Sequence, residues 1–128
     1  MIEYRTKIRC YCSPAGRNKI ADWYNDLAAD QAAADAFLIR MQRKEFSTWV
    51  DNDDYTPRMS PYEFGELKWK AGQKQHRLFG FFSSGNWYAL MGCTHKQRVY
   101  DPADAKDTAK KRMKQIERGE VQTVKYDL

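Results

Sequence analysis

The stretch Glu63–Thr94, EFGELKWKAGQKQHRLFGFFSSGNWYALMGCT, decides the fold. It holds three short runs, Glu63–Lys70, Lys74–Phe82 and Asn86–Thr94, rich in the aromatic and aliphatic residues that strands favour. Ala71-Gly72-Gln73 and Ser83-Ser84-Gly85 separate them, and short glycine-bearing breaks of this kind reverse an extended chain. The spacing predicts a β-meander. In its first strand Leu67 and Trp69 fall on one face, with Glu66, Lys68 and Lys70 on the other.

Upstream of the meander, Asp51–Pro61 (DNDDYTPRMSP) is acidic, proline-bearing and aperiodic, which reads as a loop. Before it, Ile20, Trp23, Tyr24, Leu27 and Ala28 recur at helical spacing, as do Ala34, Phe37, Leu38 and Met41. Ser13-Pro14 predicts the cap of the first helix and Asp30 that of the second, giving a helical hairpin bent at Ala29-Asp30. From Ile2 to Cys12 the even positions are Ile, Tyr, Thr, Ile, Cys and Cys, while charged residues occupy most odd ones; this predicts a half-buried strand with a basic outer face. Downstream, Asp101-Pro102 opens a last helix whose inner stripe is Ala105, Ala109, Met113 and Ile116 and which stops at Gly119. The tail, residues 119–128, holds Val121–Val124 as either a short extra strand or a mobile end. The predicted order is βααβββα. It belongs to the α+β class, with the helical hairpin and C-terminal helix packed on one face of a mostly antiparallel sheet.

A chain of 128 residues suits one domain and one core, so residues 1–128 are read as a single unit. No apolar run reaches membrane-spanning length, and the opening MIEYRTKIRC lacks the apolar core of a signal peptide. Three cysteines, an odd count, argue against a disulfide framework and make the cytoplasm the expected compartment. The net charge of +5 favours a polyanionic partner.

The charge is segregated. From Leu67 to Tyr100 there is no acid, while the window carries Lys68, Lys70, Lys74, Arg77, Lys96 and Arg98 with both histidines, His76 and His95. If the three strands are neighbours, this predicts six cations and two imidazoles on one side of the sheet, a surface for phosphates. The plainer alternative is a solvated strand face whose lysines guard an edge. Aromatics interleave the cations; most suit a core, whereas Tyr100, beyond the last strand and near Arg98, suits stacking on an unpaired base.

RNA carries its own nucleophile in the 2′-hydroxyl, so its cleavage requires a base, an acid and positive charge at the scissile phosphate, and no metal or cofactor. His95, followed by Lys96 and Arg98 at a strand end, is the better candidate for proton transfer, and His76 the more readily structural of the two. Cys10-Tyr11-Cys12 and Cys93-Thr94-His95 each place a pair on one strand face. Four zinc ligands would meet there if the strands were adjacent, although buried free cysteines packing in a core account for the spacing more simply. No glycine-rich phosphate loop or serine-centred elbow is present.

These residues resemble a family. HRLFGFF (His76–Phe82), NWYALMGCTHK (Asn86–Lys96), the capped basic helix that follows and ADWYNDL (Ala21–Leu27) together resemble the RelE/ParE superfamily of toxin–antitoxin toxins, closest to its HigB-like, often phage-derived branch. The resemblance covers about Ile2 to Arg118. It implies a RelE-like fold and a ribosome-dependent mRNA endoribonuclease, a metal-independent hydrolase neutralised by a cognate antitoxin. It places Arg77 on the family's basic strand position, Lys68 and Lys70 on the preceding lysine-bearing strand, and Lys96 on the second position of a lysine pair whose first is His95. Met91 stands where many members have histidine.

Three readings follow. In the first, Arg77 and Lys96 stabilise the phosphorane, His95 transfers the proton, and Lys68, Lys70, Lys74, His76, Arg98 and Tyr100 hold the RNA. In the second, a ParE-like toxin of the same fold poisons DNA gyrase without acid–base chemistry. In the third, the basic face serves a non-catalytic, phage-derived module that binds nucleic acid or protein.

Overall fold

A computed structural model describes residues 4–126. The chain is of mixed α+β class, with four helices and a seven-stranded, mostly antiparallel sheet. In chain order the elements are β1 (Lys7–Tyr11), α1 (Lys19–Asp26), α2 (Gln31–Gln42), α3 (Phe46–Trp49), β2 (Tyr55–Thr56), β3 (Gly65–Ala71), β4 (Lys74–Ser83), β5 (Asn86–Lys96), β6 (Val99–Asp101), α4 (Ala105–Glu117) and β7 (Thr123–Lys125). The strands lie in the order β2-β3-β4-β5-β1-β7, and β6 pairs with the end of β5. The meander forms as expected, its turns closed by Gly72, Ser84 and Gly85 in the left-handed backbone region. β1 runs parallel to β5, which requires the crossover that the helical hairpin provides; every other pairing among the described residues is antiparallel.

The helices do not share one face. α1, α2 and α3 bury Ile20, Leu38, Met41 and Trp49 against Ile8, Leu67, Leu78 and Trp87, each such side chain contributing about 1.5–3 kcal/mol. α4 lies on the opposite face, where Ala105 and Ala109 meet Phe64, Phe79 and Leu90. The reason lies in the two central strands, where Leu78-Phe79 and Ala89-Leu90 bury consecutive side chains. Neighbouring strand positions point to opposite faces, so both sides need a cover. Trp23 seats α1 directly over Gly92, where a Cβ would stand 2.3 Å from the indole.

Three expected caps differ. Asp101 ends β6 instead of opening the last helix, which starts at Ala105 with Asp104 at its N-cap. Ser13-Pro14 opens a turn, with the Gly16 N–H donating to the Ser13 carbonyl and Gly16 left-handed, and the helix starts later. Asn18 caps α1, its Oδ1 accepting from the N–H groups of Ile20 and Ala21. Asp30 stands at the N-cap of α2 but makes no side-chain cap bond; a 3-10 turn over Ala28–Asp30 leads into that helix. The first strand spans Lys7–Tyr11, shorter than expected, with Thr6, Ile8, Cys10 and Cys12 buried as the alternation requires. Ile2 and Glu3 lie outside the described residues. The tail forms a strand, β7, held to β1 by the Arg9 guanidinium donating to Thr123 and to α2 by the Tyr126 hydroxyl donating to Asp35. Among the described residues no helix is long and apolar enough to cross a membrane.

Candidate functional site

The registers of β3, β4 and β5 decide where the window's side chains go. Lys68 pairs with Arg77, and Arg77 with Cys93, which sets all three on the α4 face. His95 is two residues beyond Cys93, on that same face, and pairs with Tyr100 of β6. His95, Tyr100, Arg77, Lys68 and Lys70 therefore share one surface at the open end of the meander. The rings of His95 and Tyr100 lie 4.5 Å apart, centre to centre, and His95 is part-exposed. The Lys106 ammonium from α4 lies 5.1 Å above the Tyr100 ring.

The other expected residues lie elsewhere. His76 pairs with Trp69 and Thr94 and faces α1 and α2. It is buried, stacks on Trp69 and has its Nε2 3.0 Å from Oδ2 of Asp30. Asp30 thus holds a histidine and not its own helix. Lys74 lies with His76 along a cleft of about 540 Å³ that Trp23 and Arg112 also line. Lys96, next to His95, points to the opposite side, and Arg98 sits in the hairpin turn with Gln97, both left-handed. The expected grouping of six cations and two imidazoles on one side is thereby corrected, and by strand alternation Lys96 falls on the face opposite His95 and Arg77. A period of two distributes a run of polar residues over both faces.

Glu66, just before the acid-free window, enters the site. Its carboxylate is buried, accepts from the Tyr100 hydroxyl at 2.6 Å and lies 3.7 Å from Nε of Arg77. Arg77 also donates to the His76 carbonyl and to Oε1 of Gln75, so its side chain is only 11% exposed. Burial first, and then the bond to Glu66, raises the Tyr100 pKa well above the usual phenol range, which keeps the hydroxyl protonated as a donor. The signal for Glu66 was present in the alternation that groups it with Lys68 and Lys70. Its partner Arg77 is eleven residues on in sequence and comes within reach only through the pairing of β3 with β4.

The cysteines do not converge. Cys10 pairs with Ala89 and packs on the α1/α2 side, whereas Cys93 lies four residues further along β5 in the core beneath α4. Burial pushes the thiols of Cys10 and Cys93 up to about 12, so both are held as thiols. Cys12 is buried beside Cys10, and among the described residues no three His, Cys, Asp or Glu side chains gather as a metal would require. The four-ligand arrangement of Cys10, Cys12, Cys93 and His95 does not form. Met91 shares the face of His95, but four residues of strand separate them by about 13 Å. Its sulfur instead accepts from the Arg112 guanidinium at 3.4 Å. His95 consequently occupies a different place on the sheet from Met91.

Comparison with family models, with curated proteins and with solved structures found no match to this chain.

Proposed function

We propose that this protein is an RNA-cutting toxin of the RelE/ParE type, with a HigB-like character, acting on mRNA at the ribosome and held silent by an antitoxin. The observation that carries the reading is the convergence of His95, Tyr100, Arg77, Lys68 and Lys70 on one open face of the meander. The first strand, helical hairpin, meander and last helix follow the βααβββα order that the resemblance implies, with α3, β2, β6 and β7 added to it. In the proposed step the 2′-hydroxyl attacks the adjacent phosphorus as it loses its proton. The bond to the 5′ oxygen breaks, that oxygen takes up a proton, and a cyclic phosphate and a 5′-hydroxyl result. His95 is the proton carrier, Arg77 faces the phosphorane, and Lys68 and Lys70 hold the backbone. Glu66 is a positioning residue that fixes Arg77 and Tyr100.

One observation favours a second reading. The Arg77 guanidinium already donates to Gln75 and to the His76 carbonyl and lies 3.7 Å from the Glu66 carboxylate, which suits a binding module that cuts nothing. Induced expression in bacteria separates the two. A toxin arrests growth and is relieved by a partner encoded beside it; tolerance of high expression without any partner would leave the binding module. A gyrase poison would keep its toxicity in His95→Ala.

A further inference from the structure

Two segments carry the chain's positive charge. The window Leu67–Tyr100 holds six cations and no acid, and Ala105–Arg118 holds six cations against Asp107 and Glu117. The remainder of the chain has ten cations against fifteen acids, a net negative charge. The second segment is α4 and its C-cap. Lys106, Lys110, Lys114 and Arg118 follow one another at intervals of four, which aligns them along one side of the helix. At 1.5 Å per residue they form a ridge about 18 Å long with a charge roughly every 6 Å.

Among the described residues no carboxylate lies within 4 Å of any of these four cations, although Arg5, Arg17, Lys19, Arg40, Arg58 and Arg77 all have an acid partner. Of the two acids on this segment, Asp107 accepts from the Tyr62 hydroxyl. Like charges four apart destabilise an isolated helix, so the unpaired row is unfavourable until a polyanion lies along it. Lys110, Lys114 and Arg118 are exposed, and Lys106 connects the ridge to the site through its position above Tyr100.

We propose that this ridge of α4 binds the phosphate backbone of a single RNA strand and leads it to the face of His95 and Tyr100. The choice of RNA rests on the function proposed above. No large exposed apolar side chain lies on α4, whereas protein interfaces and membrane-bound helices need such anchors. A row of point charges is sufficient for sequence-independent phosphate contacts.

The test uses the full chain with His95→Ala, so that binding is read without cleavage, and a fluorescent single-stranded RNA followed by anisotropy over a range of salt. Adding Lys110→Gln, Lys114→Gln and Arg118→Gln should lower the slope of log affinity against log salt by about 2, and the affinity at 0.1 M salt by about a hundredfold. Removing three cations elsewhere, with Lys7→Gln, Arg43→Gln and Lys125→Gln, should change affinity far less. An unchanged slope in the ridge variant would overturn the proposal. So would an equal loss in the remote variant, or ridge-dependent binding of polyglutamate or of phosphatidylserine vesicles with none of RNA. A wild type that binds along the ridge but cuts no message would refute the proposed function and leave the ridge standing.

Discussion

The Tyr100 hydroxyl donates a 2.6 Å hydrogen bond to the Glu66 carboxylate, whose side chain is 5% exposed and also faces the Arg77 guanidinium. One buried acid thus fixes two residues of the candidate site. Glu66→Ala leaves the Arg77 cation nearly buried without a counter-charge, an expected loss of about 3 kcal/mol in urea unfolding. Tyr100→Phe removes one charge-assisted hydrogen bond and should cost about 1.5 kcal/mol. Equal costs for the two would show that Arg77 does not depend on Glu66.

A pH dependence follows from the same burial. Cys10 and Cys93 are raised from 9.0 to about 12, and Tyr100 is raised above 10.0. With folded pKa values above the unfolded ones, the folded state holds more protons at alkaline pH. That stability is complete below about pH 9 and is lost as pH rises toward 12. Urea unfolding at stepped pH should show it, and Tyr100→Phe should flatten the loss above pH 10. A stability that rises over this range would contradict the assignment.

Asp30 and His76 give a third test, because Asp30 stands at a helix start yet spends its carboxylate on a strand histidine. Asp30→Ala should cost about 2 kcal/mol by leaving His76 without its partner. Asp30→Ser, a good cap too short to reach His76, should recover little of that. If Asp30 worked as a cap, serine would restore nearly all of a loss of about 1 kcal/mol.

The contact of Trp23 with Gly92 gives a fourth. A Cβ at position 92 would stand 2.3 Å from the indole, so Gly92→Ala should destabilise by about 2 kcal/mol. In a Trp23→Leu background the same change should cost much less, as measured by a double-mutant cycle. Additive effects would show that α1 does not rest on Gly92.

Much of the fold was legible because its signals are local. Gly72 and Ser84-Gly85 end strands wherever the partners lie, and Phe37, Leu38 and Met41 mark a buried helix face by spacing alone. Local signals also compete, which is why Ser13-Pro14 read as a cap although Asn18, five residues on, caps the helix. The face covered by α4 was missed because Leu78-Phe79 and Ala89-Leu90 look the same whether one side of a strand is buried or both. The site was less legible. Its cations were visible as a group, but their division between two faces depends on register across three strands, and Glu66 reaches Arg77 only through the pairing of β3 with β4. His95 and Tyr100 are neighbours because the β5–β6 hairpin turns tightly at Gln97 and Arg98, both left-handed without being glycine.

The most direct test of the central claim is to induce wild type and His95→Ala in bacteria and map mRNA 5′ ends. The account predicts arrest with new ends inside translated codons for the wild type, and loss of both in a folded His95→Ala protein, general acid–base catalysis being worth about 10²–10⁴ in rate. Arrest with intact transcripts, or codon-internal cleavage undiminished in His95→Ala, would contradict it.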